Sequence, residues 1–237
     1  KALKTKPLTQ ENLIESIKKT QRTPLVFVHG FNVHYEEALL RSAQIAYDLK
    51  YQGPVILFTW PAGSGDGVFD DVLFSKTYQN NLINAKASIE VFKNLLLEFQ
   101  KNKIKVNLIA HSMGHQVVLP ALQQIGKLNL KESSAKHVVN ELILNAPDFS
   151  SKKFTKISKE IKPTNKRTTI YCSYNDKAII ASQTYNHNSR LGGCSFLKNI
   201  DNINVSLVDD QTLGLGHGYY SSRPILSDIF QTILGID

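Results

Sequence analysis

Short apolar runs alternate along the chain with longer segments of helical periodicity. Most of these runs are apolar in succession, as expected for strands that are buried on both faces of a sheet. Alternation of strands and helices predicts an α/β fold with a mostly parallel central sheet flanked by helices. The predicted strands are residues 24–29, 54–60, 105–111, 138–145, 168–173 and 203–208.

The clearest predicted helix lies between the second and third strands. Ser75 is a suitable N-cap residue, and Lys101 and Lys103 suit the C-terminal end of the helix dipole. Apolar residues step by three and four along this segment and form one buried stripe. The stripe comprises Leu82, Ala85, Ile89, Phe92, Leu96 and Phe99.

Three further helices follow from the same periodicity. One helix is expected over residues 113–125 and should end at Gly126. Pro120 lies inside it and should bend the helix or remove one of its hydrogen bonds. Residues 152–167 are basic and have apolar positions at helical spacing, which predicts a basic amphipathic surface helix. The last helix is expected to begin near Ser222.

A single domain is predicted over residues 1–237, with a helical N-terminal extension at 1–23. Two polar segments, 61–75 and 181–199, fit neither a helix nor a strand pattern. Long loops at strand ends carry function more often than average, so we expect both to border the active site.

The chain has 28 Lys and Arg against 20 Asp and Glu, a net charge of +8. Because the basic residues are dispersed and lack interleaved aromatics, a solvated surface is favoured and no nucleic-acid partner is expected. Peripheral contact with an anionic membrane surface stays open, as does the oligomeric state.

No apolar run reaches the length of a membrane span, so a soluble protein is expected. Its compartment stays open between the bacterial cytoplasm and export after removal of an upstream segment.

The two cysteines, Cys172 and Cys194, lack the Cys/His spacing of a zinc site, and no metal or cofactor is expected. Cys172 lies in a strand-like run and is expected to pack as a small apolar residue. Cys194 lies in a glycine-rich segment. A disulfide between them stays open, because spacing along the chain does not reveal spatial proximity.

A serine follows the third predicted strand in a form typical of a nucleophile. Residues 105–111 run directly into the segment Ala110-His111-Ser112-Met113-Gly114, and a helix follows. On such a strand–turn–helix, small residues two positions before and after the serine allow a tight turn that exposes its hydroxyl. Ala110 stands where glycine is usual, which is the smallest departure that a side chain allows. Ser112 is therefore the predicted nucleophile, although a serine here could also merely cap the helix.

An oxyanion requires backbone N–H donors beside this serine. Met113, directly after Ser112, supplies one predicted donor. The first strand ends in His29-Gly30-Phe31, where Gly30 lets the chain turn inward and Phe31 supplies the second predicted donor.

We expect several histidines near these donors to support the site and not to take part in the chemistry. His29 is expected to order its loop through hydrogen bonds and not to act as the base. His111 and His115 flank the nucleophile and are expected to pack around it or support it.

The general base and its orienting acid should follow later strands, in the chain order serine, acid, histidine. Asp176 follows the strand at 168–173, and His217 stands between glycines before the last helix. Histidine takes the serine proton, and the acid orients the imidazole. Asp148, after the strand at 138–145, remains the competing acid, and His187 the alternative base.

These motifs, in this order, resemble the α/β-hydrolase superfamily across nearly the whole chain. More narrowly, the chain resembles a bacterial family of esterase- and lipase-like hydrolases of largely unassigned function. The resemblance implies the triad Ser112, Asp176 and His217, with Phe31 and Met113 as oxyanion donors. The matching segments are VFVHGFN (26–32), FTWPAGSG (58–65), AHSMG (110–114), NAPD (145–148), YNDKA (174–178), RLGG (190–193) and GHGYY (216–220).

The function expected from this set is hydrolysis of a small-molecule or lipid acyl ester through an acyl-serine intermediate. A thioesterase or an acyltransferase would use the same triad. A non-catalytic binding protein with this fold is the alternative from another class, and it would be expected to lack a triad residue.

Overall fold

A computed structural model describes residues 6–63, 71–131, 137–198, 200–208 and 216–236, without the side chains of residues 71–74 and 131. This part of the chain contains seven α-helices and one six-stranded sheet. The helices are α1 Gln10–Thr20, α2 Tyr35–Asp48, α3 Asp71–Lys101, α4 His115–Lys131, α5 Ser151–Ile161, α6 Lys177–Asn186 and α7 Arg223–Leu234. The strands are β1 Leu25–Val28, β2 Val55–Phe58, β3 Val106–His111, β4 Val139–Asn145, β5 Asn165–Cys172 and β6 Asp201–Asn204.

The sheet order is β2-β1-β3-β4-β5-β6, and every neighbouring pair is parallel. This confirms the predicted α/β fold with helices around a parallel sheet. Because all strands run the same way, their carboxyl ends meet along one edge. The order reverses at β1 and β3, and ligands of open α/β sheets bind in the crevice beyond such a point.

Helices cover both faces of the sheet, which explains why its strands are apolar in succession. Along β1, Val26 and Val28 face the core formed with α1, α3, α4 and α5. Leu25 and Phe27 face the core formed with α2 and α7. All four side chains are fully buried. None of the helices in the described ranges combines the length and apolarity needed to cross a bilayer.

The N-terminal segment predicted as a helical extension contains α1. Thr9 caps this helix by accepting a hydrogen bond from the Asn12 backbone N–H at 3.2 Å. Ile14 and Ile17 are buried in the same core as α3 and the sheet. The helix thus packs on the body of the fold through one apolar side.

The predicted start of α3 at Ser75 was wrong, because the helix begins at Asp71. The glycines and aspartates of 61–75 suggested a loop, yet an aspartate in the first turn of a helix is favoured by the helix dipole. Residues 71–75 are therefore helical. Residues 64–70 of that predicted loop lie outside the described ranges.

Gly126 does not end α4, which continues to Lys131 with Pro120 in its interior. A β-carbon on Gly126 would lie 1.6 Å from the backbone oxygen of Glu160. Glycine is therefore present because α4 and the end of α5 approach each other at this position, and not because the helix stops there.

Several boundaries in the second half also differ from prediction. The basic helix predicted over residues 152–167 ends at Ile161, and β5 begins at Asn165, inside that range. The predicted loop 181–199 is helical to Asn186, the end of α6. The last strand is Asp201–Asn204 and not 203–208, and its side chains are only partly covered at the edge of the sheet. An edge strand of this kind lacks the continuous apolar run on which its prediction relied.

The two cysteines form a disulfide, so Cys172 is not a simple packing residue. Cys172 ends β5 and Cys194 follows the turn at Leu191–Gly193, and both are buried. The bond ties the strand that precedes Asp176 to the glycine-rich segment.

Candidate active site

Ser112 lies in a tight turn between β3 and α4 with a φ of 50°. This left-handed conformation is uncommon for a residue with a side chain and costs of order 1–3 kcal/mol. Gly114 permits the turn, because a β-carbon there would lie 2.5 Å from the His29 carbonyl oxygen. The strained strand–turn–helix geometry is the one that the sequence predicts for a nucleophile.

The carbonyl oxygen of Ser112 accepts two hydrogen bonds that hold the turn in place. His115 donates through Nδ1 at 2.7 Å, and the Asp148 backbone N–H donates at 3.3 Å. Burial lowers the pKa of His115 to about 3, so its ring is neutral at neutral pH. His115 thus helps to hold the Ser112 turn through its carbonyl oxygen.

The loop after β1 passes directly beside the nucleophile. A β-carbon on Gly30 would lie 2.8 Å from the Ser112 β-carbon, a separation that real side chains do not reach. Glycine is therefore required at this position, and the following residue, Phe31, stands at the mouth of the same crevice. The structure thus brings the loop that carries one predicted oxyanion donor next to the serine, and Met113 immediately follows the serine.

His29 orders this loop through a set of buried contacts. Its Nδ1 donates to the Gly30 carbonyl oxygen at 3.1 Å, and its Nε2 accepts from the Trp60 backbone N–H at 3.2 Å. The Trp60 indole stacks on its ring and donates to its carbonyl oxygen at 3.0 Å. Burial lowers the pKa of His29, which keeps it neutral. These contacts leave His29 engaged away from the Ser112 hydroxyl.

Asp176 and His217 meet although 41 residues separate them. The His217 Nδ1 donates to the Asp176 Oδ2 at 2.7 Å, and the Asp176 side chain is fully buried. The other carboxylate oxygen accepts from the Ile179 backbone N–H and caps α6. In a neutral imidazole that donates from Nδ1, the other nitrogen, Nε2, is the acceptor that a general base requires.

His217 lies against the residue that precedes the nucleophile. The His111 Nε2 donates to the His217 carbonyl oxygen at 3.1 Å, and the two ring centroids are 4.7 Å apart. Burial, with His217 as the next cause, lowers the pKa of His111 well below its ordinary value. His111 is therefore a neutral donor to the His217 backbone.

Among the described residues, no hydrogen bond joins the Ser112 hydroxyl to the His217 ring. Asp176 and His217 are in contact, and His217 and Ser112 belong to neighbouring segments without that final bond. Such bonds are often long without substrate and tighten only in the substrate complex.

Asp148, the competing acid, belongs to a different network. It forms an ion pair with Arg190 at 3.1 Å, and both side chains are almost fully buried. Its carboxylate also accepts hydrogen bonds from Tyr78 and Ser182. The structure therefore pairs His217 with Asp176, whereas Asp148 contacts the Ser112 turn through its backbone N–H. His187, the alternative base, forms the C-cap of α6.

A cavity of about 560 Å³ opens beside this constellation. His217 and His111 line it on one side, and Gly30 and Phe31 line it at the end of β1. Helix α2 forms the opposite wall. No group of three or more His, Cys, Asp or Glu side chains in the described ranges is placed to hold a metal ion.

Three supporting residues were not identified from the sequence. Tyr78 and Ser182 reach Asp148 from α3 and α6, and nothing in their local patterns signals a buried polar contact. Arg41 lines the cavity from α2. The helical pattern of α2, directly after the His29 loop, would have placed Arg41 near the crevice.

The reversal of strand order between β1 and β3, with a strained serine turn at that point, defines an α/β hydrolase. The chain belongs to a family of this class, the α/β hydrolases of unknown function designated DUF900, whose model matches residues 5–235. Comparison with curated protein sequences finds no match.

Two solved structures are similar in part. One is phospholipase PlaB from Legionella pneumophila in complex with thio-NAD, with a TM-score of 0.41 and 16% identity over 72% of this chain and 44% of that chain. The other is phospholipase PlaB from Legionella pneumophila, with a TM-score of 0.38 and 12% identity over 90% of this chain and 64% of that chain. The present chain thus spans less than two thirds of the length of either.

Proposed function

We propose that this protein hydrolyses a carboxylic ester through an acyl intermediate on Ser112. The observation that carries the proposal is the Asp176–His217 hydrogen bond of 2.7 Å, formed beside a serine in a strained turn. A serine hydroxyl is a weak nucleophile until a positioned base takes its proton. The buried acid fixes the imidazole tautomer that leaves Nε2 free to do so.

In the first half of the reaction, the Ser112 Oγ attacks the ester carbonyl carbon while His217 Nε2 takes the hydroxyl proton. The carbonyl π electrons move to oxygen and give a tetrahedral oxyanion. When this collapses, the ester C–O bond breaks, and His217 returns its proton to the departing alkoxide. The products of this half are an alcohol and acyl-Ser112.

In the second half, His217 takes a proton from water, whose oxygen attacks the acyl carbon. Collapse of the second oxyanion releases the carboxylic acid, and His217 returns the proton to Ser112 Oγ. The Phe31 and Met113 backbone N–H groups are the proposed donors to both oxyanions. Loss of one such donor costs about 100- to 1000-fold in rate in other serine hydrolases.

Covalent labelling of the active serine tests this function directly. The wild-type protein should react with a fluorophosphonate probe and release para-nitrophenol from short-chain acyl esters. Ser112→Ala should do neither, because the attacking oxygen is gone, whereas the matched control Ser16→Ala on exposed α1 should do both. Peptide mass mapping locates the label. A wild-type protein that is not labelled and cleaves no acyl ester would show that the chain is a non-catalytic member of its class.

A further inference from the structure

The cavity beside His217 is mainly apolar but contains a cation. Phe31, Val33 and Leu40, which are at least partly exposed, contribute to its apolar wall, and Arg41 lines it from the middle of α2. A guanidinium stays protonated at every pH at which a protein folds. It is also well suited to bind a carboxylate or a phosphate through two parallel hydrogen bonds.

Within the described ranges, the contacts of Arg41 include no partner of opposite charge. Its guanidinium carbon lies 5.5 Å from the centre of the Tyr220 ring, and Nη1 donates to the Gln44 side-chain oxygen at 3.0 Å. No carboxylate of the described residues forms an ion pair with it. Glu37, one turn earlier on α2, also lines the cavity, but its carboxylate accepts from the His34 backbone N–H at 2.9 Å and forms no ion pair with Arg41.

Arg41 connects to the active site through successive ring contacts. The Tyr220 ring centre lies 4.3 Å from that of His111, and His111 lies 4.7 Å from His217. Burial lowers the pKa of His111 well below its ordinary value, and the Arg41 charge adds to that lowering. Burial raises the pKa of Tyr220, and the Arg41 charge opposes that rise. Because burial also keeps His29 neutral, Arg41 is the permanent positive charge among the described residues of this lining.

We propose that Arg41 is a specificity residue that binds an anionic group, a carboxylate or a phosphate, on the ester substrate. This inference rests on the proposed ester hydrolysis, since it concerns the substrate of the same site. The apolar residues of the same lining suit a hydrocarbon segment that links the anion to the ester. The preferred substrate is thus an amphiphilic ester with one charged end.

Binding without turnover provides the first test. Ser112→Ala should bind monomethyl suberate, which has one carboxylate and one ester, more tightly than the neutral dimethyl suberate. The double variant Ser112→Ala with Arg41→Gln should lose about 10- to 100-fold in affinity for the charged ligand and little for the neutral one. Equal affinities of both ligands for both proteins would overturn a carboxylate subsite.

The kinetic test uses charged and neutral esters in matched pairs. One pair is the mono-para-nitrophenyl ester of suberic acid and its methyl-capped form, and the other is octanoyl glycerol phosphate and octanoyl glycerol. Arg41→Gln should lower kcat/KM about 10- to 100-fold for the charged member of one pair and leave its neutral member nearly unchanged. The pair that responds identifies the anion as a carboxylate or a phosphate.

Two variants control for charge and for geometry. Arg22→Gln removes the same charge from an exposed site at the opposite edge of the sheet and should leave both pairs unchanged. Arg41→Lys keeps the charge but loses the planar fork, so it should retain part of the preference. High salt should weaken the preference of the wild-type protein, since the site is open to solvent.

The outcomes separate this inference from the proposed function. Hydrolysis of neutral esters with no Arg41-dependent preference in either pair would overturn the anionic subsite alone. Arg41-dependent binding of monomethyl suberate by Ser112→Ala, with no ester cleaved by the wild-type protein, would keep the subsite and reject the hydrolase proposal.

Discussion

Two buried aspartates follow neighbouring strands, and their partners distinguish them. Asp176 contacts an imidazole and a helix N-terminus, whereas Asp148 contacts a guanidinium and two hydroxyls. An acid beside a histidine can direct a proton transfer. An acid enclosed with arginine neutralises a buried charge, and removing it leaves that charge without compensation.

Asp176→Asn is expected to lower kcat by about 1000- to 10 000-fold with little loss of stability. Asparagine caps helices as well as aspartate does, so α6 should remain intact. Its amide, however, no longer provides the charged acceptor that keeps the His217 proton on Nδ1. Steady-state kinetics with a para-nitrophenyl ester and circular dichroism measure the two effects.

Asp148→Asn is expected to show the opposite behaviour. It leaves the Arg190 guanidinium buried without an anion, and breaking such a pair costs about 3–5 kcal/mol in the free energy of unfolding. Urea unfolding measures this loss, and turnover per folded molecule should change far less than in Asp176→Asn. A kinetic defect in Asp148→Asn together with normal turnover in Asp176→Asn would reverse the choice of triad acid.

At the level of elements, the contact of α4 with the end of α5 helps to position the helix that follows Ser112. Helix α4 begins three residues after Ser112 and has its apolar side chains in the core. Gly126 removes the side chain that would otherwise collide with the Glu160 backbone. The glycine is thus a packing residue, although its helix propensity is poor.

Gly126→Ala is expected to lower the free energy of unfolding by about 1–3 kcal/mol. Alanine is the better helix former, so a loss of stability would reflect the collision with the Glu160 backbone. Gln124→Ala, at an exposed position of the same helix, serves as the control and should change stability by less than about 0.5 kcal/mol. A stabilised Gly126→Ala in chemical denaturation would contradict the close α4–α5 contact.

At the level of the whole molecule, the disulfide joins two segments that support the site. Cys172 ends β5, four residues before Asp176, and Cys194 follows the segment that contains Arg190. The cross-link spans 22 residues, which limits the unfolded chain more than the folded one.

Reduction of this bond is expected to lower the free energy of unfolding by about 3 kcal/mol. Urea unfolding with and without a phosphine reductant measures the change. Cys194→Ala should unfold identically in both conditions, because it has no bond to reduce. Two free thiols titrated in the unreduced, unfolded wild-type protein would contradict the cross-link.

Much of the site could be inferred from local pattern, because parallel strands have their carboxyl ends at one edge. Ser112, Asp176 and His217 each follow a predicted strand, and His29 and Gly30 end another. The boundaries of helices and strands were harder to predict where tertiary contacts override the local propensity of the residues. Gly126 looks like a helix stop, and the β6 edge strand lacks a continuous apolar run.

The sequence by itself determined the alternation of strands and helices, and with it the sheet and the order of its motifs. The reason is that strands buried on both faces are apolar in succession, whereas helices buried on one side have apolar residues at helical spacing. Only the tertiary structure decided which acid meets His217, whether Cys172 and Cys194 are bonded, and which cation shares the cavity. Those outcomes depend on distances between residues far apart in sequence. No local pattern records such a distance, since it results from how all the elements pack together.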